Sequence, residues 1–496
     1  MNNTINDGAS QRNVKGGNCE PFIQLLRTPR KFYFFDVNRN KLCNIEESVY
    51  NRLNARLTCR TDIPVHDAID DEIEALKNDG WLSTNRPTYL LHPSTDKVEI
   101  FAHNDLSTLV LQVTQACNLC CIYCPYALNT SNELSRSHSS KTMSFETAKK
   151  SINFLATNSS NSEDIYISFY GGEPLIAFPL VKKCVEYANE VFDGKRVQYL
   201  LTTNATLLSD EMLDYFALHR FALTFSLDGP KAIHDKHRIR ADGSPTYELV
   251  MDTLQKTIDR YGEEAKGLLL VNMVINPADS FDEILEWLNN DTMRNIMVQA
   301  TLVEDYYIER KFSVTSDFTE KLRYNLALSI LNYLDAVTGL NTNPITDAMV
   351  TKNAEAFSKL QEGGGELSDV ACPGGPCMSG ITKLFVNADG TFFPCEKVNE
   401  LATSMMIGDV ENGFDFEQIR KHLNISQLTS EKCKNCWAQT HCGICQRQAD
   451  GGDELSGASK LKFCNQVQAD LMAMLRTCTL FQEYRTIYKD TARDER

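Results

Sequence analysis

The most informative stretch of this 496-residue chain is Thr114-Gln115-Ala116-Cys117-Asn118-Leu119-Cys120-Cys121-Ile122-Tyr123-Cys124. Its cysteines Cys117, Cys121 and Cys124 follow the spacing C-x3-C-x2-C, with the aromatic Tyr123 before the last of them. Three thiolates on one tight loop can hold three irons of a 4Fe–4S cluster and leave the fourth open to a small molecule. A zinc knuckle is the alternative, but structural zinc takes four ligands, usually in C-x2-C pairs.

Strands are predicted to alternate with helices from Leu106 to about Leu302, on both sides of this loop. Ser144 is placed to cap the first helix, which should run to about Leu155. Alternation with short loops favours a parallel sheet, and six strand–helix units make a partial (β/α)6 barrel rather than a closed eightfold one. The six predicted strands are 107–113, 165–170, 197–201, 221–225, 268–275 and 296–302.

Polar motifs stand at the carboxyl ends of these strands, where functional residues gather in parallel sheets. Gly171-Gly172-Glu173-Pro174 ends the second strand, and Ser226 ends the fourth. Two glycines let the backbone approach a ligand closely, and Glu173 could accept a hydrogen bond from an ammonium group. Asn204 follows the third strand and Arg238 lies beyond the fourth; a turn asparagine and an ordinary surface arginine are the alternatives.

Together, the loop and the strand ends resemble the radical S-adenosylmethionine (SAM) enzymes, whose cluster loop reads C-x3-C-x-aromatic-C. The resemblance implies that Cys117, Cys121 and Cys124 ligate a 4Fe–4S cluster and that SAM chelates its open iron. In that family the reduced cluster cleaves SAM and yields a 5′-deoxyadenosyl radical, which removes a hydrogen atom from an unactivated carbon. The residues implied to bind the cofactor are Tyr123, Gly171, Gly172, Glu173, Pro174, Asn204, Ser226 and Arg238.

Eight more cysteines lie between Val370 and Cys464. Eight thiols suit two fully ligated 4Fe–4S clusters, and one or two structural zinc sites are the alternative. Their order resembles the SPASM extension of radical SAM enzymes, although Cys442-x2-Cys445 is one residue shorter than is usual there. The resemblance implies crossed ligation. One cluster would take Cys372, Cys377, Cys395 and Cys445, and the other Cys433, Cys436, Cys442 and Cys464.

Glu396 directly follows Cys395, at a place where anaerobic sulfatase-maturating enzymes carry an aspartate that is the proposed base. A glutamate is one methylene longer than an aspartate, and a base must reach its proton with the right geometry. The substitution therefore weakens the sulfatase-maturase interpretation. The stretch 393–398 looks more like that of maturases of cysteine-rich ribosomal peptides. Glu396 is the candidate catalytic residue, and an ion pair with Lys397 or another surface neighbour is the alternative.

The segment before the barrel is predicted to mix hairpins with short helices, which suggests a small winged-helix-like domain. By pattern rather than motif it resembles the precursor-peptide recognition domain of peptide-maturing enzymes; a structural cap is the alternative. One hairpin is predicted at 32–37 and 41–45 and another at 88–91 and 98–101. The helices are predicted at 46–57 and around Ile69, Ile73 and Leu76, ending near Gly80.

The predicted organisation has six parts. They are a disordered lead-in (1–18), a winged-helix-like recognition domain (19–104), a radical SAM partial barrel (105–318), a helical bridge (319–369), a SPASM domain (370–466) and a helical tail (467–496).

Composition limits the possible partners and compartment. A net charge of −16 makes the chain a poor candidate for binding nucleic acid or an anionic membrane. No apolar run approaches the ~20 residues of a membrane span, and the N-terminus lacks the apolar core of a signal peptide. A cytoplasmic location is expected. The 17 cysteines would there bind clusters more readily than form disulfides.

The sequence therefore predicts an α/β radical SAM enzyme that matures a ribosomally made, cysteine-rich precursor peptide. It would form thioether crosslinks of the sactipeptide or ranthipeptide type, using SAM and three 4Fe–4S clusters. Its partners would be the peptide's leader and a flavodoxin- or ferredoxin-type electron donor. The alternatives are a sulfatase maturase that makes formylglycine, a carbon–carbon crosslinking enzyme, and a non-catalytic cluster scaffold.

Overall fold

The computed structural model describes residues 20–58, 68–127, 135–304, 306–308, 311–362 and 366–494. The predicted lead-in at 1–18 lies outside these residues. The strands are β1 Ile23–Arg27, β2 Phe32–Asp36, β3 Lys41–Ile45, β4 Tyr89–Leu90, β5 Thr108–Thr114, β6 Asp164–Gly171, β7 Arg196–Thr203, β8 Ala222–Ser226, β9 Leu269–Ile275, β10 Met297–Leu302, β11 Val370–Ala371, β12 Lys383–Val386, β13 Thr391–Phe393, β14 Gly408–Asp409 and β15 Gly413–Phe414.

The helices are α1 Glu47–Leu57, α2 Ala68–Asn78, α3 Val98–Ala102, α4 Phe145–Thr157, α5 Phe178–Val191, α6 Asp210–Leu218, α7 Lys231–His237, α8 Tyr247–Tyr261, α9 Ala265–Leu268, α10 Phe281–Leu288, α11 Ser316–Tyr333, α12 Pro344–Glu362, α13 Phe416–Leu423, α14 Ser430–Lys434, α15 Gly457–Leu461 and α16 Cys464–Asp494. The segment predicted as a helical bridge contains two helices, α11 and α12.

The N-terminal strands form an antiparallel sheet in the order β1-β2-β3. Alternate residues of β2 face opposite sides, as the pleat of a strand requires. Phe34 packs with α1 and α2 in one core, while Tyr33 and Phe35 pack with α12 and α16 in another. The predicted first hairpin and both helices are confirmed, and β2 is buried on both faces.

The predicted second hairpin is wrong. Tyr89 and Leu90 form a parallel pair with β11, and residues 98–102 form the helix α3. Val98 and Ala102 stand four residues apart, and both are fully buried on one helical face against the barrel core. The alternation of apolar and charged residues in Val98-Glu99-Ile100 suggests a strand, but burial follows the helical period.

The barrel strands β5 to β10 lie side by side in chain order, and all of them are parallel. This arrangement confirms the six predicted strands. The Ser144 hydroxyl accepts a hydrogen bond from the Thr147 amide at 3.0 Å, which confirms the predicted cap of α4. The carboxyl ends of all six strands therefore meet at one edge of the sheet.

The C-terminal segment continues the same sheet beyond β5. β12 pairs in parallel with β5, and β13, β14 and β15 follow in antiparallel order. This pairing brings the cysteine-rich segment next to the cluster loop that follows β5. Among the described residues, no helix combines the length and the apolar character needed to cross a membrane.

Candidate active site

A cavity of about 550 Å³ lies at the carboxyl ends of β5 to β10. It is lined by the three cysteines of the cluster loop, by seven of the eight predicted cofactor contacts and by Glu396. Pro174 is the exception, because it is buried at the start of a 3-10 turn and does not line the cavity. The lining residues predicted from sequence are Cys117, Cys121, Cys124, Tyr123, Gly171, Gly172, Glu173, Asn204, Ser226, Arg238 and Glu396.

The cluster loop is fixed by the segment that follows β8. The amide of Cys120 donates to the Ile239 carbonyl at 2.7 Å, and the amide of Ile122 donates to the His237 carbonyl at 3.0 Å. Burial raises the pKa of the Cys117 thiol to about 11 and that of Cys121 to about 12. Buried thiols of this kind become anionic when a metal cation binds them.

His138 is a contact of the cluster loop that sequence analysis did not identify. Its Nδ1 lies 3.0 Å from the Gln115 carbonyl oxygen, so Nδ1 carries a proton and donates. Its Nε2 lies 3.7 Å from the Cys124 sulfur. The histidine lies fourteen residues beyond Cys124, outside the spacing of the motif, so only the fold brings it to the cavity.

The two glycines at the end of β6 allow the cluster loop to approach. A Cβ on Gly171 would lie 2.1 Å from the Thr114 carbonyl oxygen, and one on Gly172 would lie 2.2 Å from that of Ala116. With no side chain in the way, the cluster loop comes close enough for two backbone hydrogen bonds. The Gly172 amide donates to the Thr114 carbonyl at 3.0 Å, and the Glu173 amide donates to the Ala116 carbonyl at 2.9 Å. Sequence analysis attributed the glycines to close approach of a ligand, whereas the Cβ positions face the chain itself.

We expect Gly172→Ala to weaken SAM binding at least tenfold, because the added Cβ would push the cluster loop away from β6. Overpacking of this kind costs about 1–3 kcal/mol. Equilibrium dialysis with labelled SAM measures the effect. Gly267→Ala is the matched control, since a Cβ there meets no atom within 4 Å. Equal SAM affinity for the two variants would contradict this role of Gly172.

The Glu173 carboxylate is 1% exposed and is held by three donors of the protein. It accepts hydrogen bonds from the Thr203 hydroxyl and the Asn204 amide, both at 2.7 Å, and from the Leu175 amide at 3.1 Å. Burial raises its pKa to about 7, although these hydrogen bonds oppose the rise. Glu173 therefore ties the end of β6 to the end of β7.

Asn204 extends this connection to the cluster loop. Its side-chain amide donates to Asn118 Oδ1 at 2.9 Å, and its oxygen accepts from both the amide and the hydroxyl of Thr206. Asn118 Nδ2 in turn donates to the Thr206 hydroxyl at 2.8 Å. Asn118 is a further site residue that sequence analysis did not identify, although it lies inside the cysteine motif.

Tyr123, Asp228 and Arg238 form a buried polar cluster beside the cavity. The Tyr123 hydroxyl donates to Asp228 Oδ2 at 2.5 Å, and Arg238 donates to the Tyr123 oxygen. Burial raises the pKa of Tyr123, which keeps the phenol neutral. Arg238 is 8% exposed, so the surface-arginine alternative is wrong. Asp228 was not assigned from sequence, although its place just beyond the carboxyl end of β8 was the available signal.

Glu396 faces the cavity and also forms an ion pair. Its Oε2 lies 2.8 Å from Lys383 Nζ on β12, and its side chain is 19% exposed. Lys397, the partner suggested by sequence, lines the same cavity. The ion-pair alternative is therefore confirmed with Lys383 as the partner, and the catalytic role of Glu396 stays a prediction for a carboxylate in the cavity wall.

The C-terminal cysteines fall into two neighbourhoods. Burial raises the pKa of Cys377, and Cys445 raises it further; Cys395 likewise has Cys377 as a neighbour. Burial also raises the pKa of Cys436, with additional effects from Cys433 and Cys464. Burial raises the pKa of the Cys442 thiol, and the neighbouring thiols of Cys436 and Cys433 raise it further.

The two neighbourhoods contain the members of the two ligand sets that the SPASM resemblance implies, except Cys372, so the crossed ligation stays a prediction. For Cys372 burial alone raises the pKa, and its thiol donates to the Pro373 carbonyl at 3.1 Å. Within the described ranges, no three Cys, His, Asp or Glu side chains come together as the ligands of a single metal ion.

Residues 111–289 match the family model of the Radical SAM superfamily. A serine-type anaerobic sulfatase-maturating enzyme of Bacteroides thetaiotaomicron is 30% identical over 34% of this chain and 40% of its own length. The radical SAM cyclopropyl synthase TigE of Paramaledivibacter caminithermalis is 21% identical over 85% of this chain and 87% of its own length. The chain thus spans less than half of the first of these relatives.

The fold resembles a solved structure, native anSMEcpe with bound AdoMet and Kp18Cys peptide. The TM-score is 0.53 at 19% identity, and the likeness covers 76% of this chain and 99% of that one. At this identity the likeness concerns the fold. The chain therefore carries a Radical SAM domain, and it is related to the anaerobic sulfatase-maturating enzymes and to the cyclopropyl synthase.

Proposed function

We propose that the chain is a radical SAM enzyme that forms thioether crosslinks in a ribosomally made, cysteine-rich precursor peptide. The observation that carries the proposal is the cavity at the carboxyl ends of the barrel strands. It joins the cluster-loop cysteines and the strand-end residues of the barrel to Glu396 and Lys397 of the C-terminal segment. A substrate held there contacts both halves of the molecule.

The residues present fit a cluster and SAM. Three thiols line one cavity, and Arg238 Nε is buried there without a hydrogen-bond partner among the described residues. Cys117, Cys121 and Cys124 would hold the cluster, and the predicted strand-end residues would orient SAM. When bound, the cluster and SAM would supply a 5′-deoxyadenosyl radical able to remove a hydrogen atom from a carbon of the substrate.

Glu396 would act as the base. The new bond would join a cysteine sulfur of the peptide to the carbon that lost its hydrogen atom. The thiol would give its proton to the Glu396 carboxylate, and the remaining electron would pass to an auxiliary 4Fe–4S cluster. Each crosslink would therefore remove two hydrogens from the peptide. Lys383 keeps the carboxylate in the cavity wall, within reach of a bound thiol.

The eight C-terminal cysteines would ligate two auxiliary 4Fe–4S clusters. The two neighbourhoods of thiols support this assignment, and structural zinc remains the alternative. Full ligation of both clusters by cysteine favours a role in electron transfer. A flavodoxin- or ferredoxin-type protein would supply the reducing electron, in the cytoplasm.

The N-terminal sheet would capture the leader of the precursor peptide. Strands β1 to β3 with α1 and α2 form a small unit at the residues predicted for the recognition domain. An extended leader would add as a strand to one edge of this sheet, where main-chain hydrogen bonds provide affinity. The six-part division of the chain is part of this proposal.

The second candidate is a maturase that makes formylglycine or a carbon–carbon crosslink. The relatives in sulfatase maturation and cyclopropane synthesis favour it. Formylglycine made from serine and a carbon–carbon crosslink would leave every cysteine thiol free, whereas formylglycine made from cysteine would lose the sulfur and carry an aldehyde oxygen in its place. A thioether keeps the sulfur but removes the thiol. The fate of the thiol and of its sulfur therefore separates the two candidates.

An anaerobic reaction of the reconstituted protein with SAM, reductant and a cysteine-rich precursor peptide tests the proposal. Mass spectrometry after thiol alkylation should show the loss of two hydrogens and one alkylatable thiol for each crosslink. A Cys117→Ala chain is the control and should leave the peptide unchanged. Hydrogen loss with every thiol still alkylated, or replacement of a cysteine sulfur by oxygen, would favour the second candidate. Absence of 5′-deoxyadenosine from a fully reconstituted chain would favour a non-catalytic scaffold.

A further inference from the structure

We propose that Lys460 tunes the auxiliary cluster ligated by Cys433, by donating a hydrogen bond to the Cys433 sulfur and raising the reduction potential of that cluster. This inference rests on the proposed function for the presence of the cluster. Beyond that function, Lys460 would set the reduction potential of one auxiliary cluster above that of the other.

Lys460 lies on the short helix α15 and is 3% exposed. Its Nζ lies 2.6 Å from Thr429 Oγ1 and 3.0 Å from the Cys433 sulfur. A lysine is almost never buried to this degree without a partner for its charge. Of these two partners only the sulfur can carry a negative charge, and a sulfur bound to iron as a thiolate does so.

The approach of α15 to this sulfur is built into the backbone. A Cβ on Gly457, the first residue of α15, would lie 2.9 Å from the Leu428 carbonyl oxygen. Glycine therefore lets the helix approach the segment before Cys433. The Thr429 hydroxyl also lies 3.3 Å from the Cys433 sulfur, so Lys460, Thr429 and Cys433 contact one another in a closed triangle.

The two thiol neighbourhoods differ in the charge of their donors. In the other set, Cys377 accepts from the neutral side-chain amide of Gln446 at 3.3 Å. Two cations, Lys383 and Arg447, lie near that set, but they are paired with Glu396 and Glu304. Hydrogen bonds to the sulfurs and the net charge around a cluster set its potential, and a nearby cation favours the reduced, more negative state. The cluster beside Lys460 is therefore the better electron acceptor.

The test is a redox titration of the full chain followed by electron paramagnetic resonance. The titration is done with Cys117, Cys121 and Cys124 replaced by alanine, so that only auxiliary clusters report. The parent chain should show two reduction waves, one for each auxiliary cluster. In Lys460→Met, one of these waves should move to a lower potential. The reduction equilibrium should fall at least tenfold, which corresponds to about 59 mV for one electron. Lys460→Arg should keep the potential close to that of the parent chain.

Lys432→Met is the matched control, because Lys432 adjoins Cys433 in sequence but is exposed. Two unmoved waves in Lys460→Met, or an equal shift in Lys432→Met, would overturn the inference. If Lys460→Met does not retain the cluster, Lys460→Gln takes its place under the same criteria. The titration needs neither SAM cleavage nor peptide. A parent chain with no auxiliary wave would refute the proposed clusters, and this inference with them, before any variant is made.

Discussion

Replacing Cys121 by alanine should lower the rate of SAM cleavage more than ~100-fold, which is the upper range for residues that only support a metal ligand. The same replacement at Cys120 should leave most of the activity. Cys121 is 8% exposed and lines the cavity together with Cys117 and Cys124. Cys120 does not line the cavity, and its backbone hydrogen bond to Ile239 does not depend on its side chain.

The measurement is the release of 5′-deoxyadenosine under reductant, together with iron and sulfide content. Cys121→Ala should bind about four irons fewer per chain than the parent, the content of one 4Fe–4S cluster. The small loss of apolar volume costs only about 1 kcal/mol, so both variants should fold. Parent-like cleavage in Cys121→Ala, or a loss in Cys120→Ala as large as in Cys121→Ala, would contradict the assignment of ligands.

The strands of the barrel and the main site residues could be predicted because their signals are local. A parallel sheet places the ends of successive strands at one edge, so Glu173, Asn204 and Ser226 meet even though long helices separate them in sequence. The same rule would have found Asp228. The cap at Ser144 likewise depends on residues within one helical turn.

Other features depend on partners that are distant in sequence. The pairing of β12 with β5 joins residues more than 270 positions apart. The helix α3 has a strand-like pattern, but its burial is decided by the barrel against which it packs. The contact of Lys460 with Cys433 spans 27 positions, and Lys460 belongs to none of the motifs found in the sequence. These features required the three-dimensional structure.

The buried ion pair of Arg136 and Glu400 gives the second prediction. Arg136 Nε donates to Glu400 Oε1 at 2.7 Å, and the two side chains are 6% and 3% exposed. Gln112 Nε2 donates to the same oxygen at 2.7 Å. The Arg136 guanidinium also lies 3.8 Å from the centre of the Tyr126 ring, which lines the cavity. The pair thus connects the wall beside the cluster loop to the C-terminal segment.

Arg136→Met should destabilise the chain by about 3–5 kcal/mol, because it leaves the Glu400 carboxylate buried without its cation. Urea denaturation of the metal-free chain, followed by tryptophan fluorescence, measures the change. Lys141→Met is the matched control. Its ion pair with Asp389 also joins the segment after the cluster loop to the C-terminal segment, but its side chains are 47% and 54% exposed. An exposed pair of this kind contributes about 0–1 kcal/mol.

The double variant Arg136→Met with Glu400→Met should recover much of the lost stability, because it removes the unpaired charge together with its partner. Equal stability of Arg136→Met and Lys141→Met would contradict the prediction. If the loss is as large as expected, the wall of the cavity depends on a charge pair between two segments 264 residues apart. The substrate site would then form only when the C-terminal segment is docked on the barrel.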